Sequence, residues 1–329
     1  MAEARSPGGL VRAIAWTALL VLGKPAAAQD LVPDGSVLTR LRGEDPEAPV
    51  VLMRFLKRGS GGRSAYRRFL EGSRATLEAA GGVRAFGGRI DQLLVGRGPF
   101  SFDDVVIDSF PSRRACIEAL ISEPRNDSVA GVHGVAVRPP GSAEGWLLGT
   151  LNRVLAMFNP RLLEDAPPIP VPAITGAVSG VVPGISPDAA QAAVFQEADA
   201  ARTVVMLNLL RYRAQAVYAP GQDQPERTGE EAYRRYGRST LPILFRLGGR
   251  LLMRGAVEQT LLASAEPLDG PWDQLALVFY PSRLHFRHMV NQPDYQAGLV
   301  HRDAGLEATV LLAITPWPEF DPARPESEG

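Results

Sequence analysis

The sequence is short of the residues that cross-link or metallate a chain. Its single cysteine, Cys116, excludes an intrachain disulfide. Only four histidines occur, His133, His285, His288 and His301. The one close pair, His285 and His288, has no further ligand cluster beside it, so no metal is expected. Neither sign of charge dominates. The formal net charge is −1; without residues 1–28, which hold three basic and one acidic residue, 32 basic against 35 acidic side chains give −3. That balance leaves no electrostatic footprint for nucleic acid, and none is expected as a partner. Also absent at any strand-to-helix turn are a G-x-S-x-G elbow, a phosphate-cradling glycine loop and a dinucleotide fingerprint. Gly59 to Gly62 reads as a plain loop.

What is present is the composition of a soluble globular chain, 45% apolar and 22% charged over 329 residues, with room for two domains. At the start, Arg5 and Arg12 precede an uncharged apolar run, Ala13 to Gly23. Lys24-Pro25-Ala26-Ala27-Ala28-Gln29 follows, with the small residues a signal peptidase accepts. The run is about half of the roughly 20 residues that span a bilayer. Residues 1–28 are therefore read as a cleaved signal peptide, and the mature chain as periplasmic or secreted without stable membrane insertion.

The chain contains itself twice. Pro33-Asp34 matches Pro187-Asp188 at an offset of 154, and the same offset lays Val50–Arg58 on Val204–Tyr212. Extra residues then enter the second copy in the Ala214–Gly229 loop, and the offset becomes 167. There Ala65-Tyr66-Arg67-Arg68 falls on Ala232-Tyr233-Arg234-Arg235, and Gly81-Gly82 falls on Gly248-Gly249. At 170, Phe102–Arg113 falls on Trp272–Arg283. Both of these stretches open with an aromatic-Asp pair, run through β-branched and aromatic residues, and close on Pro-Ser-Arg. Offsets that change only in loops are the trace of duplication with loop insertion.

Each copy has the order strand, helix, strand, strand, helix, strand, the split βαβ or ferredoxin-like unit. A short helix precedes it, capped in the second copy at Ser186-Pro187. The first core helix of the second copy spans about Gly229 to Leu247, with Tyr233, Tyr236, Leu244 and Leu247 at core spacing. Its second strand is read in two pieces, Arg250–Met253 and Thr260–Ala263, around a kink at Gly255, and its last strand as Ala308 to Ile314. Cys116 aligns with Phe286 on the apolar face of a helix and is expected to be a small buried hydrophobe. The expected divisions are signal peptide 1–28, first repeat 29–138, second repeat 186–316 and a polar tail 317–329. Between the repeats, residues 139–185 hold an amphipathic helix over Trp146–Phe158, expected to lie on the body of the protein, and a Pro-rich linker.

Gly248–Gly255, the strand end Phe279-Tyr280-Pro281-Ser282, then Pro293-Asp294-Tyr295-Gln296 and His301-Arg302, resemble domain-of-unknown-function family 1330 of the dimeric α/β-barrel superfamily. The likeness covers about 190–316. The first copy is degenerate, with Val83 and Gly87 where the second has Arg250 and Arg254. The resemblance implies two sheets closed face to face around a cavity, here within one chain, as a monomeric pseudo-dimer or a weak homodimer. It also implies a small-molecule ligand. No cofactor is expected, and haem, which some superfamily members bind through one histidine, is not favoured.

Candidate site residues follow from strand parity. Val204, Met206, Asn208 and Leu210 share one face, expected to be the lumen, and Arg54 is the counterpart of Asn208. In the first copy Arg54 and Asp108 lie on neighbouring strands and are expected to pair, either structurally or to orient a substrate and move a proton. In the second, Asn208 and Arg254 are candidate substrate-binding residues, and Tyr280 and His301 candidate catalytic ones, joining Arg54 and Asp108 in that role. Arg254 suits an enolate or carboxylate oxygen, and His301 a proton transfer near neutral pH. Two functions fit. One is an exported, cofactor-independent enzyme of the oxygenase, isomerase or cyclase kind acting on an enolisable or aromatic compound. The other is a non-catalytic protein that holds an apolar metabolite.

Overall fold

The computed structural model describes residues 33–123, 127–157, 184–222, 228–263, 268 and 270–323. The expected signal peptide and most of the Pro-rich linker lie outside them. The first half runs α1 (Gly35–Arg42), β1 (Val50–Arg58), α2 (Gly62–Ala79), β2 (Val83–Val95), β3 (Asp104–Phe110), α3 (Arg113–Ser122) and β4 (Val129–Arg138). A connecting helix, α4 (Ser142–Met157), lies against the second half, where the Asn152 amide donates to the Leu251 carbonyl at 2.8 Å. The second half runs α5 (Ala189–Glu197), β5 (Val204–Tyr212), α6 (Gly229–Arg246), β6 (Arg250–Leu262), β7 (Gln274–Tyr280), α7 (Arg283–Val290), α8 (Pro293–Gly305) and β8 (Leu306–Pro316).

The eight strands close one antiparallel barrel in the order β1-β3-β2-β8-β5-β7-β6-β4. Each half supplies a ferredoxin-like sheet, β4-β1-β3-β2 or β8-β5-β7-β6. The outer strands pair across the halves, β2 with β8 and β4 with β6, so neither sheet keeps an open edge. The aromatic-Asp pair of the repeated stretch has the same task in both copies. Asp103 accepts from the Arg58 backbone N–H at 2.8 Å, and Asp273 from that of Tyr212 at 2.6 Å, fixing the start of β3 and β7 against β1 and β5.

The repeated Pro-Ser-Arg is explained by barrel closure. Arg283, at the first turn of α7, reaches Asp91 on β2 of the other half at 2.7 Å, and Arg113, at the first turn of α3, reaches Glu258 on β6 at 2.7 Å. The two bridges are counterparts at the offsets found in the sequence. They tie the halves as an isologous interface ties two subunits.

The lumen is not a cavity wall of polar groups. Val51, Met53 and Phe55 of β1, Val205, Leu207 and Leu209 of β5, and Leu275, Leu277 and Phe279 of β7 meet there in one apolar core. The face carrying Arg54, Asp108 and Asn208 is the opposite one and looks toward the helices, which corrects the expected placement of the pocket. Period-two alternation separates the two faces but does not label them when both are apolar.

Four local readings are also corrected. β6 is continuous through Gly255, whose added Cβ would lie 2.5 Å from Val137 Cγ1; glycine serves close approach of β4, not a kink. The cap of α5 is Asp188, in a capping box with Gln191, rather than Ser186. α8 is an additional helix, begun by Pro293, with no helical counterpart among the described residues of the first half. At the C-terminal end, Trp317 is no part of a solvated tail: its N–H donates to Gly87 at 2.9 Å and its ring packs beside Tyr66, Phe69 and Val106 of the first half. Cys116 is fully buried on α3, as its alignment with Phe286 implies, and burial pushes its thiol up to about 12.

Candidate functional site

Both halves have a crevice between sheet and helices, and the two are filled differently. In the first, Arg54 and Asp108 do pair, Nη2 to Oδ2 at 3.0 Å, and both are buried. Arg84 on β2 holds the other Asp108 oxygen at 2.8 Å, and Glu123 beyond α3 takes Arg54 Nη1 at 2.5 Å. Ser73 of α2 accepts from Arg54 and Arg84 at 3.2 and 3.3 Å. Burial opposes the Arg54 charge, but Glu123 and Asp108 outweigh it and its pKa is raised. Two guanidiniums and two carboxylates thus neutralise one another, and only about 10 Å³ of space is left among them. With Trp317 closing the other end, the first crevice has no room for a ligand.

In the second half the corresponding positions are Asn208, Val278, Leu251 and Thr240 in place of Arg54, Asp108, Arg84 and Ser73. Among the described residues no arginine–carboxylate cluster occupies these four positions. A cavity of about 240 Å³ opens between β5–β7 and α6, and one of about 80 Å³ adjoins it toward α7 and α8. They meet at Asn208, Leu210, Tyr233, Tyr236, Tyr280 and Met289, which line both.

The walls are phenolic. Of seven tyrosines in the chain, Tyr212, Tyr233, Tyr236, Tyr280 and Tyr295 line these cavities. The first four stay neutral at any ordinary pH: burial pushes Tyr233 up to about 12 and raises Tyr212, Tyr236 and Tyr280 well above the usual phenol range. Rings of Tyr212, Tyr233, Tyr236 and Tyr295 follow one another with centroids 5.4–6.0 Å apart. Tyr236 donates to the Tyr295 hydroxyl at 3.2 Å, and Tyr280 to the Met289 sulfur at 3.5 Å.

Arg254 reaches this site because of a bulge. Simple alternation would place Arg250 and Arg254 on the same face, but the register of β6 on β7 shifts between Leu251 and Met253. Arg250 therefore stacks over Phe279, 4.4 Å from the centroid, on the lumen side, while Arg254 lines the larger cavity. With its amide turned end for end, Gln274 donates to the Tyr212 hydroxyl and accepts from Nε and Nη2 of Arg254. Glu230, the carboxylate at the cavity rim, is paired with Arg234 at 2.8 Å.

The structure thus brings Asn208, Arg254 and Tyr280 together and leaves His301 apart. His301 Nδ1 is hydrogen-bonded to the Tyr218 hydroxyl at 3.0 Å and lines neither cavity; its neighbour Arg302 lines the smaller one. Tyr233 and Tyr236, expected as core, are half-buried cavity walls. One signal for them was in the sequence, since six of its seven tyrosines lie beyond residue 211. Among the described residues no group of three or more His, Cys, Asp or Glu side chains is arranged to hold a metal, and no helix is long and apolar enough to cross a membrane. What the larger cavity offers is neutral phenols, the Asn208 and Gln274 amides and the Arg254 guanidinium around an apolar floor, with Glu230, Arg234 and Arg238 also in its lining.

Residues 224–315 match the family model described as "Domain of unknown function (DUF1330)". A protein of unknown function from Rhodopseudomonas palustris, known from its crystal structure, is 36% identical; the match covers 40% of this chain and 96% of that one, with a TM-score of 0.36. A single-residue variant of chlorite dismutase from Candidatus Nitrospira defluvii is 10% identical over 87% of this chain and 99% of that one, with a TM-score of 0.41. No curated protein matches the sequence.

Proposed function

Because the chain belongs to the DUF1330 family, through residues 224–315 that supply most of the open crevice, we propose that its second half handles a small, flat, oxygen-bearing molecule. The ligand is an aromatic or enolisable compound, and the first half is a closed counterpart that completes the barrel. The observation that carries this reading is the contrast in free space: about 240 Å³ beside Arg254 and Tyr280, against about 10 Å³ beside Arg54 and Asp108. Aromatic walls suit a planar ring, and Arg254, Asn208 and the neutral phenols suit its oxygens. As a cofactor-independent enzyme of the oxygenase, isomerase or cyclase kind, the site would stabilise an enolate or phenolate as charge develops on oxygen.

A second reading, storage or transport without turnover, is favoured by one observation. The carboxylate at the cavity rim, Glu230, is held by Arg234, and His301 faces Tyr218, so among the described lining residues no unpaired carboxylate or imidazole stands ready to accept a proton. Native mass spectrometry of protein purified from its own host, followed by organic extraction, tests the site. A released small molecule that Ala276→Trp excludes is the expected result. Protein that carries nothing, and whose melting temperature no phenol or β-diketone changes, would overturn the reading.

We also place the protein outside the cytoplasm, on the strength of residues 1–28. Intact mass of the exported protein should begin at Gln29; a mass retaining those residues would make the segment an anchor.

A further inference from the structure

The smaller cavity is not built by the second half alone. Its lining includes Leu94 and Val95, the end of β2 in the first half. Both are 1% exposed, and they belong to one apolar cluster with Val204, Met206, Tyr280, Phe286 and Met289 of the second half. Register shifts between Ile90 and Gln92 and between Leu93 and Val95 turn this strand end across the β2–β8 seam into its neighbour's helix layer.

The exchange is reciprocal. Leu261 and Leu262, the counterparts of Leu94 and Val95, enter the first half's helix-side clusters, beside Leu52, Leu77 and Phe110 or beside Tyr66 and Phe69. There the arginine–carboxylate network takes the remaining space. Among the described residues of the second half no such network is present, and the donated residues line the smaller chamber.

The two chambers of the second half differ in kind. The larger carries Arg254 and Gln274, while Asn208 lies on the wall common to both. Beyond the shared wall, Leu94, Val95, Phe286, Val290 and Leu311 line the smaller together with Thr309 and Arg302, whose guanidinium is held by Asp303 at 3.1 Å and by the Ile185 carbonyl. The partition includes Met289, an unbranched thioether that yields readily to a chain passing it.

We infer that the ligand is a two-part molecule: an oxygen-bearing ring held in the larger chamber, and a short alkyl substituent that enters the smaller one, where Leu94 and Val95 of the first half set its length. This deepens the proposed small-molecule site and rests on that reading. It also gives the degenerate half a part in specificity.

The test uses the full mature chain and a series of 4-alkylphenols from methyl to octyl, with affinity measured by calorimetry. Each added methylene should tighten binding about fourfold, the effect of one buried CH₂, until the chamber is full, after which affinity should level off or fall. Val95→Phe should move that peak to shorter chains by about two carbons, and Leu94→Ala should move it to longer ones. The two variants act in opposite directions, so loss of fold in the crowded one leaves the other decisive. Affinity that ignores chain length, that rises evenly through octyl, or that neither variant shifts overturns the inference while leaving the site intact. Failure of every member to bind overturns the inference, and the site falls with it if β-diketones also leave the melting temperature unchanged and the protein carries no ligand.

Discussion

The two halves share topology, register and seam, yet one crevice is shut with charge and the other is left open with phenols. The difference comes down to a few exchanges at equivalent positions: Arg54 for Asn208, Arg84 for Leu251, Asp108 for Val278 and Phe69 for Tyr236. A buried network of two guanidiniums and two carboxylates is weak as a source of stability, because desolvation offsets most of the attraction. It does fill volume and fix geometry. In the second half, where Thr240 and Leu251 stand at the matching positions, that volume is left open. The closed half completes the barrel, and the open half is the one to which the proposed binding is assigned.

If that division is right, charge matters to folding in the first half. Asp108→Ala leaves Arg54 and Arg84 facing one another with Glu123 as their remaining carboxylate partner, and should cost about 3–5 kcal/mol in a denaturant titration. Asp108→Asn keeps the shape and should cost less. A loss under about 1 kcal/mol for Asp108→Ala would mean that water reaches the cluster and that the first crevice is not closed.

The seam offers a finer comparison, because its two bridges are equivalent in sequence and unequal in burial. The side chain of Arg283 is 2% exposed and its guanidinium lies over the Phe195 ring at 4.7 Å, whereas that of Arg113 is 15% exposed. Thr315 adds a hydrogen bond to Asp91 at 2.7 Å. Arg283→Ala should therefore destabilise by about 2–3 kcal/mol, against about 1 kcal/mol for Arg113→Ala. Equal losses would show that the two seams close with the same strength and that burial does not distinguish them.

Much of this was legible in the chain. The duplication could be read because Pro-Ser-Arg, the aromatic-Asp pairs and the glycine pairs each hold a fixed geometric task in both copies. The pairing of Arg54 with Asp108 followed from strand parity. Which face of the sheet they occupy did not, since β1 and β5 are apolar on both sides and a period of two cannot tell lumen from helix layer. α8 was hidden because its polar face and Gly298 and Gly305 blur the helical pattern. The bulge that sends Arg250 and Arg254 to opposite faces leaves no local mark in Arg-Leu-Leu-Met-Arg. His301 carries the right chemistry for a proton shuttle, but only its place on α8, facing Tyr218, shows that it serves the packing of the loop after β5.

The smallest expected change in stability belongs to the residue with the largest expected role in binding. Arg254 lines the larger cavity and shares Gln274 with Tyr212, so its loss releases that amide and exposes no buried carboxylate among the described cavity walls. Arg254→Ala should cost no more than about 1 kcal/mol. Its counterpart Gly87 behaves in the opposite way. An added Cβ there would lie 2.3 Å from Trp317 Cε3, so Gly87→Ala must displace the ring that closes the first crevice. That variant should destabilise by about 1–3 kcal/mol and leave phenol affinity unchanged, while Arg254→Ala should weaken phenol binding about tenfold or more, the worth of one charge-assisted hydrogen bond. Calorimetry and thermal unfolding on the same two proteins separate the outcomes. If Gly87→Ala lost binding and Arg254→Ala lost only stability, the open and closed halves would have to exchange roles.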